Sequence, residues 1–576
     1  MRLTNQEAFE KYASEAHERW TSKFGGDRWV INVGISECSK AKGALDTWSN
    51  LQLHLDNSGL DYELHQVGCA GWCFAEPFIE VIAPDSPGIV FQNVVTDLVP
   101  ELVQAFKSGD FPVEHAMGVR GDESFKGIAP LNEHPFLKGQ HRLLFKRAGE
   151  IDPDSIEEYI ANGGYAGFVK ALLEMTPEEI VHEVKESNVR GRGGAGFPAG
   201  IKWESGRRTQ AWPKYVVANS HEGEPNVFKD RRLIESDPHL VLEGLMIACV
   251  ALETPHGYNY IGGEHVLALA RFQHAVDQAY ELGLLGDNVL GTGKSFHMRV
   301  RSGGGAYICG EGSALMYAIM GERGQPRTKP PRSVEEGVWR RPTVLNNTET
   351  YAAVPSIITN GGSWYASIGT EQSKGTKLVT IQGPVARIGV AEVDMGYSLR
   401  SLIEDIYGGA KEGYTLKGIQ MGGVSAGPLR MDQLDVGIDF ESLEEVGAML
   451  GSGGFVAFDE SICAVDFARY LTQFNRYESC AKCTPCRLGN KALLEIVDKV
   501  RNGQSPNDVA ALIEATSENI IDLSLCGLGQ VAPMPLLGMM KAFPDEFEAH
   551  FRDGTCPQGQ CPVSQPRLRL EPVAAD

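Results

Sequence analysis

Over residues 1–110, short apolar runs alternate with longer stretches whose apolar positions recur every three to four residues. A two-residue period marks a half-buried strand, and a 3.6-residue period marks a helix packed on one side. The pattern predicts helix 6–24, strand 29–34, helix 41–57, strand 62–67, paired strands 78–82 and 88–93, and helix 96–108. Such alternation makes 1–110 a small α/β unit. Residues 111–140 are rich in Gly, Pro, Asp and Glu, lack a period, and read as a linker or lid.

Residues 141–370 open with helices at 152–160 and 165–173. A third starts at Thr176-Pro177-Glu178-Glu179, where a hydroxyl cap, a first-turn proline and acidic residues coincide. Strand 215–218, a mostly apolar helix at 240–252 and strand 259–261 follow. This order argues for a doubly wound parallel sheet, which gathers ligands where its strands end. Strands and turns dominate 371–458, in TKLVTIQG, GVAEVDMG and a helix at 398–409. Helices at 465–474, 489–502, 506–519 and 534–543 make 459–550 a bundle, and 551–576 is a tail. The fold class is α/β and multidomain.

A length of 576 residues agrees, since one unit per roughly 150 residues gives about four. Hydrophobic residues at 42% and charged ones at 22% describe an ordinary globular protein. The 53 Lys and Arg stand against 75 Asp and Glu, a net charge of −22, which argues against nucleic acid or an anionic membrane surface as partner. The start is polar and lacks a signal peptide's apolar core, and apolar stretches such as 245–252 are too short to span a bilayer. A cytoplasmic protein without membrane insertion is expected.

Candidate chemistry begins in the run 190–203, Arg-Gly-Arg-Gly-Gly-Ala-Gly-Phe-Pro-Ala-Gly-Ile-Lys-Trp. Gly191, Gly193, Gly194 and Gly196 let the backbone approach a ligand, and N–H groups beside Arg192 and Lys202 are a usual means of holding a phosphate. A glycine-rich turn without ligand is the alternative. The 12 cysteines, in a chain with no sign of export, read as metal ligands rather than disulfides. Cys249 and Cys309 sit among apolar or small residues and read as inert buried thiols. Cys480, Cys483 and Cys486, spaced C-x2-C-x2-C, with Cys526 remote, match a 4Fe-4S cluster; zinc, the alternative, more often shows paired C-x2-C motifs. Cys463, His550, Cys556 and Cys561 suit tetrahedral zinc. Cys38, Cys69 and Cys73 lie just after predicted strands.

Joined to Asn219-Ser220-His221-Glu222-Gly223-Glu224-Pro225, GGGAYICGE at 303–311, Lys329-Pro330-Pro331 and Asn346-Asn347, these motifs resemble the flavin- and nucleotide-binding (51 kDa-type) subunit of respiratory complex I and its relatives, over about 133–552. The layout is most similar to the β subunit of electron-bifurcating hydrogenases and to NAD(P)-dependent formate dehydrogenases. The resemblance implies a thioredoxin-like 2Fe-2S ferredoxin-type domain at 1–110 and a Rossmann-like FMN and NAD(P)-binding domain at 141–370. It further implies a ubiquitin-like (SLBB) β-grasp domain at 371–458, a 4Fe-4S helical bundle at 459–550 and zinc ligands reaching into 551–576.

For FMN, the resemblance implies phosphate contacts from Lys202, the 191–196 backbone with Arg192, Asn346 and Asn347. Ring contacts are implied for Asn219, Glu222, Gly310 and Glu311. His221 stands where relatives carry Asp and could favour anionic reduced flavin. Glu224 and Glu222 take the catalytic places near the nicotinamide. The nucleotide site keeps Phe197 and Lys329, but Ser205 and Arg332 replace phenylalanines and Gly312 replaces a glutamate. Loss of that carboxylate and gain of Arg332 would favour the 2′-phosphate of NADP(H). Decay of the nucleotide site is the competing reading.

Thioredoxin-like ferredoxins carry a cysteine pair after the first strand, and Val33 stands where the first of that pair is expected. Cys38, Cys69 and Cys73 therefore need a fourth ligand, for which Ser36 and Glu37 are near, or the domain is an empty scaffold. Cys463, His550, Cys556 and Cys561 resemble the structural zinc set of bifurcating hydrogenase β subunits. Those subunits continue into a ferredoxin domain, whereas this chain stops at Asp576, so that branch is expected on another subunit or absent. The implied function is a diaphorase subunit that moves electrons between NAD(P)(H) and an Fe-S chain through FMN, with electron bifurcation open. It would sit in a hetero-oligomer with a small thioredoxin-like 2Fe-2S subunit and a larger Fe-S or catalytic subunit, such as a hydrogenase or formate dehydrogenase. The alternative is an electron-relay or scaffold subunit that has lost nucleotide binding.

Overall fold

The structure, a computed structural model, describes residues 2–24 and 27–564; residues 565–576 of the expected tail lie outside the described residues. No helix among the described residues is long and apolar enough to cross a membrane.

The first unit comprises α1 (Gln6–Lys23), β1 (Trp29–Gly34), α2 (Glu37–Ala41), α3 (Ala44–Asp56), β2 (Tyr62–Val67), β3 (Ile79–Ile82), β4 (Ile89–Phe91), α4 (Val99–Ser108) and β5 (Ala116–Val119). Its strand order is β2-β1-β3-β4-β5, with β1 parallel to β2 and antiparallel to β3. The structure corrects two expectations here. The helix expected at 41–57 is preceded by a separate short helix, α2, which carries Cys38 and is capped by Ser36; Gly43 at φ +92° divides α2 from α3. The linker expected at 111–140 supplies β5, paired antiparallel with β4, and buries Ile128 and Leu131. Ala-Met-Gly-Val is too short to show a period, and only the open edge of β4 makes it a strand.

The second unit comprises α5 (Ile156–Ala161), α6 (Ala166–Leu173), α7 (Pro177–Glu186), α8 (Ala199–Arg208), β6 (Tyr215–Ser220), α9 (Lys229–Ser236), α10 (Pro238–Ala251), β7 (His256–Ile261), α11 (Val266–Leu282), β8 (His297–Ser302), α12 (Gly312–Ile319), β9 (Thr343–Asn347), α13 (Thr348–Asn360) and α14 (Gly362–Ala366). All four strands run parallel in the order β8-β7-β6-β9, the doubly wound arrangement read from the sequence. Thr176 and Glu179 form the capping box that starts α7. α10 is buried at every position, so its sequence is apolar all round rather than on one stripe. It meets α13 at Gly244, where a Cβ would collide with the Tyr351 carbonyl. Its one mid-helix carboxylate, Glu243, accepts the Tyr159 hydroxyl at 2.5 Å and the N–H groups of Tyr165 and Phe168 at 2.8 and 3.0 Å, which caps α6. Each buried Leu or Ile contributes roughly 1.5–3 kcal/mol, so α10 anchors the sheet that carries the site.

The third unit comprises β10 (Thr376–Gln382), β11 (Gly389–Asp394), α15 (Leu399–Ser401), β12 (Leu416–Gln420), β13 (Pro428–Arg430), α16 (Phe440–Glu445) and β14 (Gly454–Asp459), with strand order β11-β10-β14-β12-β13. The helix expected at 398–409 is only α15 and one π turn, Leu402–Ile406. Last come α17 (Ala464–Glu478), α18 (Asn490–Arg501), α19 (Val509–Leu523), α20 (Gly527–Val531), α21 (Met534–Ala542) and α22 (Pro544–Glu548). They pack around Val465, Leu493, Val497, Ile513 and Leu536 as a bundle.

Candidate functional site

In the second sheet the chain leaves β6 for β7 on one side, while β9 lies on the other. That reversal of strand order opens a ligand crevice at the carboxyl ends of β6 and β9. Asn219 and Asn347 are paired neighbours there, as are Ala218 and Asn346 one step earlier. The glycine-rich loop folds back beside them: Gly191 N–H donates to the Phe197 carbonyl and Ala199 N–H to that of Val189, both at 2.9 Å. A Cβ on Gly193 would stand 3.1 Å from the Asn347 Cβ, and Gly194 and Gly196 take φ of +112° and +62°. Glycine is what permits this backbone and its close approach.

Much of the charge around the crevice is engaged in holding it together. Arg192 is buried, and its guanidinium donates to the carbonyls of Arg190, Thr376 and Lys374 at 2.9, 3.1 and 2.5 Å. Its guanidinium is therefore a strut between the loop and the third unit. Asn347 accepts the Glu349 N–H at 3.0 Å, capping α13, and donates to Asp230 at 2.7 Å. Lys229 and Lys377 both pair with the buried Glu349, at 2.8 and 2.7 Å. Glu222 accepts the N–H groups of Asp230 and Arg231 at 2.8 and 3.1 Å and so caps α9; burial and the Asp230 charge raise it to about 7. Glu224 accepts the Ser452 hydroxyl at 2.6 Å and the Val424 N–H at 3.3 Å, both from the third unit. The two carboxylates expected in catalysis are thus engaged in contacts within the protein. Asn219 donates to the Gly310 carbonyl at 2.8 Å and accepts the His221 N–H at 3.2 Å.

Other groups await a partner. Asn346 Nδ2 is buried with no hydrogen-bond partner, and the buried His221 ring has only a weak contact with the Ala306 backbone. Burial lowers the His221 pKa, opposed by the charge of Glu264. Lys202 Nζ donates to the Leu345 carbonyl on β9 at 2.7 Å, and burial, then the Lys329 charge, lowers it to about 8. An incoming anion stabilises an ammonium held this way.

Glu311 caps α12 through the N–H groups of Ser313 and Ala314 at 2.9 and 3.0 Å, with Lys329 Nζ 3.7 Å from its other oxygen. Gly312 opens that helix, and a Cβ there would meet only Leu345, at 3.8 Å, so a side chain fits. Phe197 and Arg332 are exposed, and the Arg332 N–H donates to Glu335 at 2.8 Å.

In the bundle, burial and the neighbouring Cys483, Cys526 and Cys480 push the Cys486 thiol up to about 11, against a Ser479 contact at 3.2 Å. Cys480, Cys483 and Cys526 thus lie close enough to Cys486 for their charges to act on its thiol. Gln325 donates to the Cys480 carbonyl at 3.2 Å and Lys482 to that of Pro326 at 2.6 Å, tying the cysteine loop to the segment that carries Lys329. Cys463, His550, Cys556 and Cys561 are all buried, with ligand atoms within 4.8 Å of one another. Cys463 Sγ lies 3.6 Å from Cys561 Sγ and 3.7 Å from His550 Nε2. Donors about 3.8 Å apart are what a tetrahedral ion with 2.3 Å metal–sulphur bonds requires. Cys249 and Cys309 are buried outside both sets, and burial raises both thiols. In the first unit Cys38 Sγ lies 3.9 Å from Cys73 Sγ. Ser36, a suggested substitute ligand, touches Cys38 Sγ at 3.1 Å while capping α2. Sequence reasoning missed Glu76, whose Oε1 is 3.9 Å from Cys38 Sγ. The available signal was a carboxylate three residues after a cysteine, in Cys-Phe-Ala-Glu at 73–76.

Residues 184–356 match the family described as Nuo51 FMN-binding domain, and residues 466–550 match the NADH-ubiquinone oxidoreductase-F iron-sulfur binding region. The NADP-reducing hydrogenase subunit HndC of Solidesulfovibrio fructosivorans is 46% identical over 424 residues, 74% of this chain and 86% of that one. This chain belongs to the family of 51 kDa-type, FMN-binding subunits. Its likeness to an NADH-quinone oxidoreductase subunit of Rhizobium meliloti is 42% identity over 415 residues, 72% of this chain and 99% of the relative. An NAD+-reducing NiFe-hydrogenase crystal structure in the H2-reduced state shares the fold, with TM-score 0.64 at 23% identity over 96% of this chain and 93% of that one.

The cofactors of this family's two matched regions are FMN and a 4Fe-4S cluster, and the residues present fit both. The FMN-binding match encloses the glycine loop, Lys202, Asn219, His221, Glu311, Asn346 and Asn347. There the unpartnered Asn346 amide, the buried His221 ring, glycine backbone and the depressed Lys202 ammonium suit a ring and a phosphate. The iron-sulfur match encloses Cys480, Cys483, Cys486 and Cys526, four thiols whose charges act on one another.

Proposed function

We propose that this chain is the electron-entry subunit of a hetero-oligomeric complex, a diaphorase that moves electrons between NAD(P)(H) and an iron-sulfur chain. Bound FMN supplies hydride exchange with the nicotinamide and single-electron exchange with the cluster. One observation carries the reading: the segment whose Lys329 pairs with Glu311 at the crevice also bonds to the cysteine loop through Gln325 and Lys482.

Lys202, Asn346, Asn347 and the backbone of Gly191, Gly193 and Gly194 would hold the FMN phosphate, while Asn219, His221, Gly310 and Glu311 would line the ring. Glu222 and Glu224 fix the 219–225 turn, which carries His221 at the crevice. Phe197, Gly312, Lys329 and Arg332 receive the nucleotide, and a site with Arg332 and no carboxylate at 312 prefers NADP(H). The relative named as an NADP-reducing hydrogenase subunit supports this preference. The first unit is a thioredoxin-like 2Fe-2S domain, the third a ubiquitin-like domain, and Cys463, His550, Cys556 and Cys561 hold structural zinc. Partners are a small 2Fe-2S subunit and a larger catalytic subunit in a cytoplasmic assembly, where bifurcation can take place.

Cys483→Ser tests the electron route. The variant should keep FMN and its reduction by pyridine nucleotide, yet lose about four iron atoms and the reduced-cluster paramagnetic signal. Unchanged iron would refute the ligand assignment.

A further inference from the structure

We propose that Glu76 is a metal ligand: with Cys38, Cys69 and Cys73 it forms a four-donor, three-thiolate and one-carboxylate centre in the first unit. The inference rests on the reading of this unit as metal-bearing and deepens it.

The donors come from three places in the chain. Cys38 lies on α2, Cys69 and Cys73 in the connection after β2, and Glu76 shortly before β3. Glu76 Oε1 and Cys73 Sγ are each 3.9 Å from Cys38 Sγ, and the ligand atoms of Cys38, Cys69 and Glu76 lie within 4.8 Å of one another. Two ligands at 2.0–2.3 Å from one tetrahedral metal atom stand about 3.5–3.8 Å apart. Where a fourth thiolate is expected the chain has Val33, so the carboxylate supplies the missing anionic donor.

Charge points the same way. Glu76 is only 1% exposed, and its Oε2 has no hydrogen-bond partner. Burial pushes the Glu76 carboxyl toward its protonated form, and a bound cation is what would hold it ionised. Two cations stand beside the donors: Arg232, which pairs with Glu235 at 2.5 Å and also faces the thiols, and Lys42, which donates to the Cys73 carbonyl at 2.9 Å. A metal centre gives Oε2 a partner, and the Gly71 N–H already donates to Cys69 Sγ at 3.4 Å. The centre also abuts the flavin unit. Ser236 of α9 donates to the Cys69 carbonyl, and Glu222 of the flavin turn caps the other end of that helix.

The test uses the full chain, loaded anaerobically with iron and sulfide, and compares wild type, Glu76→Gln, Glu76→Cys and Cys38→Ser. Metal and acid-labile sulfide are counted per chain, and the reduced samples are read by electron paramagnetic resonance, with the bundle cluster as internal reference. Glu76→Gln should lose the first-unit metal as fully as Cys38→Ser does, while the bundle signal stays. Glu76→Cys should keep the metal with shifted g-values, which separates ligand loss from misfolding. Iron with sulfide identifies a 2Fe-2S centre, and metal without sulfide a single ion; Glu76 is the ligand in either. A Glu76→Gln protein with unchanged metal and spectrum would overturn the ligand assignment alone. A wild type with no metal in this unit would overturn the metal-bearing reading as well.

Discussion

His550 Nδ1 lies 2.7 Å from the Glu546 carbonyl oxygen, so Nδ1 carries the ring proton and Nε2 is left bare, 3.7 Å from Cys463 Sγ and 3.4 Å from Cys561 Sγ. Metal-ligating histidines are oriented by this kind of contact. Purified protein should therefore hold about one zinc per chain, and Cys556→Ser should lose it. The variant should melt earlier while keeping FMN and iron. Iron at these cysteines, or a zinc-free wild type, would refute the assignment.

Lys202 gives a pH signature. Burial depresses its pKa to about 8, and the protonated form is the one that attracts a phosphate dianion. FMN affinity should be full below that value and fall as pH rises through it, so flavin-fluorescence titrations of apoprotein across about pH 6–10 should show the loss. Lys202→Met should weaken FMN roughly ten- to a hundredfold, the scale of a charge-assisted hydrogen bond, and flatten the profile.

Nucleotide choice should follow Gly312 and Arg332. Space for a side chain exists at Gly312, so Gly312→Glu is tolerated structurally and restores a carboxylate. Together with Arg332→Phe it should shift the NADPH/NADH ratio of kcat/KM toward NADH by roughly ten- to a hundredfold, from a pair of about 1.5–3 kcal/mol. Either change alone should do less, because both act on one phosphate. Steady-state kinetics with both nucleotides decide it.

What was legible in the sequence was local. α10 showed itself through its apolar run, and the bundle cysteines through their spacing, because each signal lies within one element or one loop. β5 and β9 were not legible: Ala-Met-Gly-Val and Thr-Val-Leu-Asn-Asn become strands by pairing with β4 and β6. The glycine loop was read as a ligand cradle, but the role of Arg192 depends on carbonyls of Lys374 and Thr376, far along the chain. Glu224 likewise meets Ser452 from 228 residues away, a contact no local pattern encodes. Glu76 escaped notice because a carboxylate three residues after a cysteine is common without metal.

The central claim is that pyridine nucleotide reduces this chain's flavin and that the electrons reach its cluster. Anaerobic mixing of the holoprotein with NADPH or NADH, followed at the flavin's visible absorbance and by paramagnetic resonance of the iron-sulfur centre, tests it directly. The flavin should bleach, faster with NADPH, together with the appearance of the signal of a reduced 4Fe-4S cluster. A flavin that neither nucleotide bleaches would contradict it and leave an electron-relay protein instead.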